Sequence, residues 1–307
     1  MGHKIGRRGA FLLLCLAVAN EAGAARVIAD NVYSDDSDHA KQWRSQLGLD
    51  QRLAQGIAGI RIGSWKINDA AGEEHFNALS LRYDTDPSRQ WRSRVGITQL
   101  SGDWSPTLGD VSTRYKSSGP WYVEASAQRE IIDTVTAIRM RHSTNTYSAS
   151  ADYAISPAFT LVGAFYTQSI SDGNNRTGKL ARAIYSFPSV EGLTLQGRFK
   201  LIDSDFRGTG YFSPLKLQEF MAIIGYSRSI LGERWSVGAQ LGTGAQSVDD
   251  TDNTSLLYGE LKFKGWFSER LGFDAKASCS NTGGFSAAQS DTRYRFCIGA
   301  LSMITVW

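Results

Sequence analysis

The sequence predicts an all-β protein, a transmembrane antiparallel up-and-down β-barrel of about sixteen strands, and three observations predict it. Apolar and polar side chains alternate with period two in many short stretches, which puts successive side chains on opposite faces of a strand. The connections between those stretches alternate long and short along the chain. The composition suits strands joined by tight turns, with 31 Gly, only 6 Pro, 14 Phe, 12 Tyr and 8 Trp in 307 residues. Charged residues make up 21% and the mean hydropathy is negative, which argues against a helical membrane protein and against a disordered tail.

Residues 1–25 read as a secretory signal. Lys4, Arg7 and Arg8 precede the apolar run Ala10 to Ala19, and the small residues Ala22-Gly23-Ala24-Ala25 follow, with cleavage expected after Ala24 or Ala25. The barrel is then expected over 26–307. The apolar run, about ten residues, is too short to cross a bilayer. Leu14 before Cys15 is too bulky for lipoprotein processing. Of the formal net charge of +3, the signal holds +2, so the basicity is no argument for a nucleic-acid partner.

The alternation is plainest at Trp91/Val95/Ile97, Trp121/Val123/Ala125/Ala127 and Tyr147/Ala149/Ala151/Tyr153. It recurs at Leu193/Leu195/Gly197/Phe199, Trp235/Val237/Ala239/Leu241 and Leu271/Phe273/Ala275/Ala277. No later stretch offers a comparably strong helix. From the N-terminus the connections read Ser34 to His39, the brief Asp50 to Arg52, Asn68 to Glu73 and the short Asp84 to Ser88. Ser101 to Gly109 is long, Ser118 to Pro120 short, 131–145 long or irregular and Ser156 to Ala158 short. Ile170 to Arg176, Asp203 to Lys216, Gln246 to Asn253 and Ser280 to Asp291 are long, separated by the short Pro188 to Gly192, Ile230 to Arg234 and Ser268 to Arg270. One rim therefore carries loops and the other carries turns and both termini, as in a bacterial outer-membrane barrel. A soluble sandwich or propeller has no reason to show that rule. Trp307, with Met303 and Leu301 at matching parity, resembles the terminal assembly signal of such barrels, and Trp43, Trp65, Trp91, Trp121, Trp235 and Trp266 are placed at interface girdles.

Opposite the apolar face, the predicted lumen lining holds Arg44, Gln46, Arg92, Arg94, Tyr122, Glu124, Gln128, Asp152, Gln196, Arg198 and Lys200. Gln240, Glu260, Lys262, Lys264, Asp274 and Lys276 continue it. Basic residues outnumber acidic ones there, which suits a neutral or anionic polar solute. Outer-membrane lipid and lipopolysaccharide are expected around the wall. Export makes a Cys279–Cys297 disulfide the expected state, in a register that pairs Phe273, Ala275 and Ala277 with Met303, Leu301 and Gly299. A competing register turns Tyr294, Phe296 and Ile298 outward and separates the sulfurs. No zinc spacing occurs, and neither metal nor cofactor is expected. A barrel hydrolase would need a His and a Ser two apart on one strand, whereas Ser143 adjoins His142 and faces away, so no catalytic residue is assigned. Asp35, Asp36, Asp38, Asp249, Asp250 and Asp252 sit in polar loops, as solvated charge or as weak sites for divalent cations and lipopolysaccharide bridges.

Three short segments resemble the C-terminal barrels of exopolysaccharide-secretion porins, namely the cellulose-synthase outer-membrane subunit and the poly-N-acetylglucosamine export porin. They are Tyr33-Ser34-Asp35-Asp36-Ser37-Asp38, Arg129-Glu130-Ile131-Ile132-Asp133-Thr134-Val135 and Gly210-Tyr211-Phe212-Ser213-Pro214. The resemblance implies an outer-membrane pore that exports a polysaccharide, with a diffusion porin as the alternative and an enzyme acting on lipid or lipopolysaccharide as the third class. Gly210 and Pro214 independently mark the last segment as a loop, where Tyr211 and Phe212 either stack on sugar rings or pack inward as a constriction. Those porins carry a long periplasmic array of helical repeats before the barrel. Here the signal leads straight into the first strand, so the resemblance implies a separate periplasmic scaffold protein or a barrel that works without one.

Overall fold

In a computed structural model that describes residues 25–37, 40–86, 89–230, 234–281 and 295–306, the alternating stretches close into one barrel of sixteen antiparallel strands. The strands are β1 (Ala25–Asp36), β2 (Lys41–Leu53), β3 (Gly56–Asp69), β4 (Gly72–Thr85), β5 (Trp91–Ser101), β6 (Thr107–Lys116), β7 (Trp121–Ile131) and β8 (Ser143–Ser156). They continue as β9 (Phe159–Ile170), β10 (Asn175–Ser186), β11 (Leu193–Ser204), β12 (Lys216–Ile230), β13 (Trp235–Val248), β14 (Thr254–Trp266), β15 (Leu271–Ser280) and β16 (Phe296–Val306). Each pairs with its sequence neighbours, and β1 pairs with β16, so no edge is left open.

The outer face is apolar because one parity of each strand is apolar. Leu47, Ile62, Leu81, Ile97, Phe165, Phe220, Leu241 and Leu261 are exposed there, where a soluble protein would bury them. Near the turn rim an aromatic belt follows neighbouring strands: Trp91 on Tyr115 with ring centroids 4.8 Å apart, Trp121 on Tyr153 at 4.4 Å and Trp235 on Phe263 at 5.3 Å. Even-to-odd connections and both described ends of the chain lie on this rim, which makes it periplasmic and the opposite rim extracellular.

Two expectations change. The β3–β4 connection on the loop rim is only the two residues 70–71, shorter than several periplasmic turns, so rim identity alternates more regularly than length. Trp65 belongs to no girdle: it faces Arg44 and Phe76 inside the barrel and is 8% exposed. Trp266 also falls on the inward parity, in line with Lys262 and Lys264. Trp307 lies outside the described residues.

Candidate functional site: the lumen and its mouth

The stretch read as irregular between β7 and β8 contains a short helix, α1 (Val135–Arg139). Thr134 is its N-cap, accepting a hydrogen bond from Ala137 N at 3.2 Å. Val135, Ala137 and Ile138 are buried; Val135 and Ile138, with Ile131, meet the inward side chains Ile67, Phe76, Ala78, Leu100 and Leu108, while Ala137 faces Ile132 and Ile170. The loop thus folds into the barrel and packs on the β3–β6 wall. Polar ties hold it there: Gln42 Nε2 donates to Asp133 at 2.5 Å, Val135 N to Asp69 at 2.8 Å, and Arg139 pairs with Glu74 at 2.9 Å.

The 205–215 loop closes over α1. Thr134 Oγ1 donates to Gly210 O at 2.6 Å, and Tyr211 is buried against Ile132, Ala137 and Ile170. Its hydroxyl donates to Asp172 at 2.6 Å and accepts from Asn174 Nδ2 at 3.2 Å. Burial and the Asp172 carboxylate push this phenol up to about 12. Phe212 packs beside Ile202, Leu217 and Val248, and its carbonyl accepts from Arg176 at 2.7 Å. Tyr211, buried, and Phe212, half-buried, therefore brace the mouth as packed side chains.

Below the mouth, strand parity turns every residue of the predicted lining inward. Arg92, Arg94 and Glu124 come together with Asp84, Ser112 and Arg114 around a cavity of about 220 Å³ in the periplasmic half. Arg94 pairs with Asp84 at 2.6 Å, while Arg92 stands opposite Arg114 and neither forms an ion pair among the described residues. Farther round, Lys200 pairs with Glu219 at 3.2 Å, with Arg198 4.0 Å from the same carboxylate and over the Tyr258 ring. Glu260 holds Lys262 at 2.7 Å and Lys276 at 3.0 Å. Arg44 stacks on Trp65 at 4.2 Å. Asp152 faces Tyr122 across the β7–β8 pair, and Lys264 faces Asp274 across β14–β15.

Carboxylates absent from the predicted lining do much of this neutralising. Asp50, Asp84 and Glu219 lie on the inward face, and Arg61 is bound to Asp50 at 2.7 Å with both side chains 3% exposed. The β3 lumen face, Gly59-Arg61-Gly63-Trp65-Ile67, is apolar toward the mouth, where it receives α1, while the outward Ser64, Lys66 and Asn68 at that level are polar, so the apolar parity inverts along this strand and hides which face is the lumen. The signal that finds these residues is pairing: each stands beside or one step from a base on the next strand.

Cys279 and Cys297 are direct partners in the β15–β16 register and their sulfurs are bonded, with Phe273, Ala275 and Ala277 opposite Met303, Leu301 and Gly299 on the lipid face. His142 Nδ1 lies 3.4 Å from Ser171 Oγ, and Ser143 Oγ accepts from Arg129 at 3.1 Å. Asp36 caps the Ala40 amide, Asp249 holds Arg207, and Asp250 holds Lys216. Asp38 lies outside the described residues. Among the described residues no group of three or more His, Cys, Asp or Glu could hold a metal ion.

A closed barrel with a lipid-facing outer wall, turns and termini on one rim, loops on the other and a charged lumen defines a bacterial outer-membrane barrel of the channel class. Solved structures show the same architecture. A bacterial polysaccharide outer membrane secretin overlays with a TM-score of 0.70 at 10% identity, covering 92% of this chain and 98% of its own. CdiB from Acinetobacter baumannii overlays at 0.50 and 10% identity, over 92% of this chain and 60% of that one. No family model matches the chain, and no curated protein matches it.

Proposed function

We propose that this barrel is an outer-membrane export pore for a secreted polysaccharide, neutral or anionic, delivered from the periplasm after residues 1–25 have directed the chain across the inner membrane. The observation that carries it is the convergence of the three resembling segments on one structure at the mouth. Ser34 stands opposite Gln42, Gln42 binds Asp133, and Thr134 binds Gly210. Segments far apart in sequence thus build one constriction. The overlay on a polysaccharide secretin at TM-score 0.70 supports the same reading.

A polar, ion-paired lumen serves this task because fixed hydrogen-bond donors and acceptors exchange with sugar hydroxyls without strong net attraction to one ionic species. The chain acts here as a channel and not as an enzyme, with a separate periplasmic protein supplying polymer. The test is single-channel recording in planar bilayers. Reversible block by a soluble oligosaccharide added on the periplasmic side, with little flux of mono- and disaccharides, is the expected result. Unblocked small-sugar flux would reassign the barrel as a diffusion porin, and lipid hydrolysis abolished by His142→Ala would reassign it as an enzyme.

A further inference from the structure

On the outer wall of β1–β4, the lateral rows of the sheet change chemistry in a fixed order from the extracellular rim downward. Register aligns Asp35, Lys41, Asn68 and Glu73 in the uppermost outward row. Below it come Tyr33, Trp43, Lys66 and His75, with the Tyr33 and Trp43 rings in edge contact at 5.8 Å. The next row is Asn31, Ser45, Ser64 and Asn77, and beneath it lie Ala29, Leu47, Ile62 and Leu79.

The third row stands out because four successive strands are polar in it, whereas Lys179 on β10 and Thr243 on β13, the polar residues at the same place elsewhere, each stand between apolar neighbours. The row sits under the aromatic row that marks the interface, at the depth where outward side chains contact acyl chains. Three other strands carry Phe at the matching place, the third outward position from the extracellular end: Phe165 on β9, Phe199 on β11 and Phe220 on β12, all exposed to lipid. On β1–β4 the same level holds two amides and two hydroxyls. Ser45 Oγ donates to Asn31 Oδ1 at 2.7 Å and accepts from Trp43 Nε1, but Ser64 and Asn77 are exposed and make no side-chain hydrogen bond among the described residues. Hydrocarbon offers such groups no partner, so leaving them bare is costly. Because the row is also small, it leaves a groove of about 650 Å³, lined by Asn31, Ser45, Ser64 and Asn77 with Leu47 and Ile62 below.

We propose that this groove seats one molecule of a phosphorylated, multiply acylated glycolipid of the outer leaflet, the lipid A part of lipopolysaccharide. Its sequence of groups matches the rows: phosphates and their divalent counter-cations at Lys41, Lys66 and the carboxylate of Glu73, amide, ester and hydroxyl groups at Asn31, Ser64 and Asn77, and acyl chains along Leu47, Ile62 and Leu79. Glu73 already neutralises Lys66 at 2.7 Å, so the upper rows offer both signs of charge, which a phosphate carrying its own cations requires and a bare anion does not. A phospholipid has no amide-linked hydroxyacyl group to fill the polar row.

Native mass spectrometry of the full barrel, titrated separately with lipid A and with phosphatidylglycerol, tests the site. The wild type is expected to retain one lipid A, and Ser64→Leu/Asn77→Leu to bind it at least tenfold more weakly, with phosphatidylglycerol displacing none. Both proteins must show the heat-dependent gel shift of a folded barrel. Should the leucine variant not fold, Asn31→Ala/Asn77→Ala removes the amides without adding bulk and carries the same expectation. Equal lipid A binding by wild type and variant, or equal retention of phosphatidylglycerol, would overturn the proposal. So would a wild-type dimer that the substitutions dissociate, because the occupant would then be a second copy.

Discussion

Two constraints meet at Gly210: its φ of +79° lies in the left-handed region, and a Cβ there would come within 2.4 Å of Thr136 Cγ2. Gly210→Ala is expected to lift the 205–215 loop off α1, a local cost of about 1–3 kcal/mol that leaves the strands untouched. Limited proteolysis checks it, with faster cleavage within 205–215 and an unchanged heat-dependent gel shift as the expected outcome. Tyr211 next to it gives the same contact a pH limit. With its pKa pushed up to about 12, the neutral phenol's contribution is complete below the free-tyrosine value near 10 and is lost as pH rises through about 12. The loop should stay docked at about pH 9 and release between about pH 10 and 12, and Tyr211→Phe should abolish that release. Lower on the wall, Asp50→Asn leaves the buried Arg61 guanidinium without its main counter-charge. A loss of about 3–5 kcal/mol is expected there, read as a lower temperature for the gel-mobility transition.

At the scale of elements, α1 has five residues, and no isolated helix of that length is stable in water. Its stability comes from apolar contacts with the β3–β6 wall and from Gln42, Asp69 and Glu74. Replacing 133–141 by a short Gly/Ser link is therefore expected to raise single-channel conductance. Deleting 206–213 should raise it less, because Tyr211 and Phe212 pack against protein and occlude little water. Equal increases would mean that both loops line the narrowest point. The same short helix shows where the sequence ceases to be legible. Strands such as β7, β8 and β13 were readable because lipid on one face and water on the other impose period two. α1 was not, because five residues hold too little of a 3.6 period to register, and its docking face inverts the apolar parity along β3. The mouth loop at Gly210–Pro214 was visible through its punctuation, but whether Tyr211 stacks on a ligand or packs inward depended on Ile132 and Ala137, about 75 residues away.

Across the whole molecule, the lumen's charge divides into paired and unpaired bases, and the division separates conduction from stability. Arg92 and Arg114 stand opposite each other with no carboxylate bound, while Arg198 and Lys200 neutralise Glu219, whose side chain is 2% exposed. Arg92→Gln/Arg114→Gln and Arg198→Gln/Lys200→Gln remove the same formal charge, so both should move the reversal potential of a salt gradient toward cation preference. The shift should shrink as salt rises from about 0.1 to 1 M, where the screening length falls from about 10 to 3 Å. Stability should part them. Neutralising two like charges set directly opposite abolishes their mutual repulsion and breaks no ion pair among the described residues, so the first variant is expected to hold its transition temperature. The second strands a buried carboxylate, and its transition temperature is expected to fall. Adding Glu219→Gln to the second variant should restore the temperature and reverse part of the selectivity change, because it cancels one negative charge and removes the unpaired group together. If both double variants keep wild-type stability, the Glu219 cluster is solvated in the membrane-bound barrel and the lumen is wetter at that level than its packing indicates.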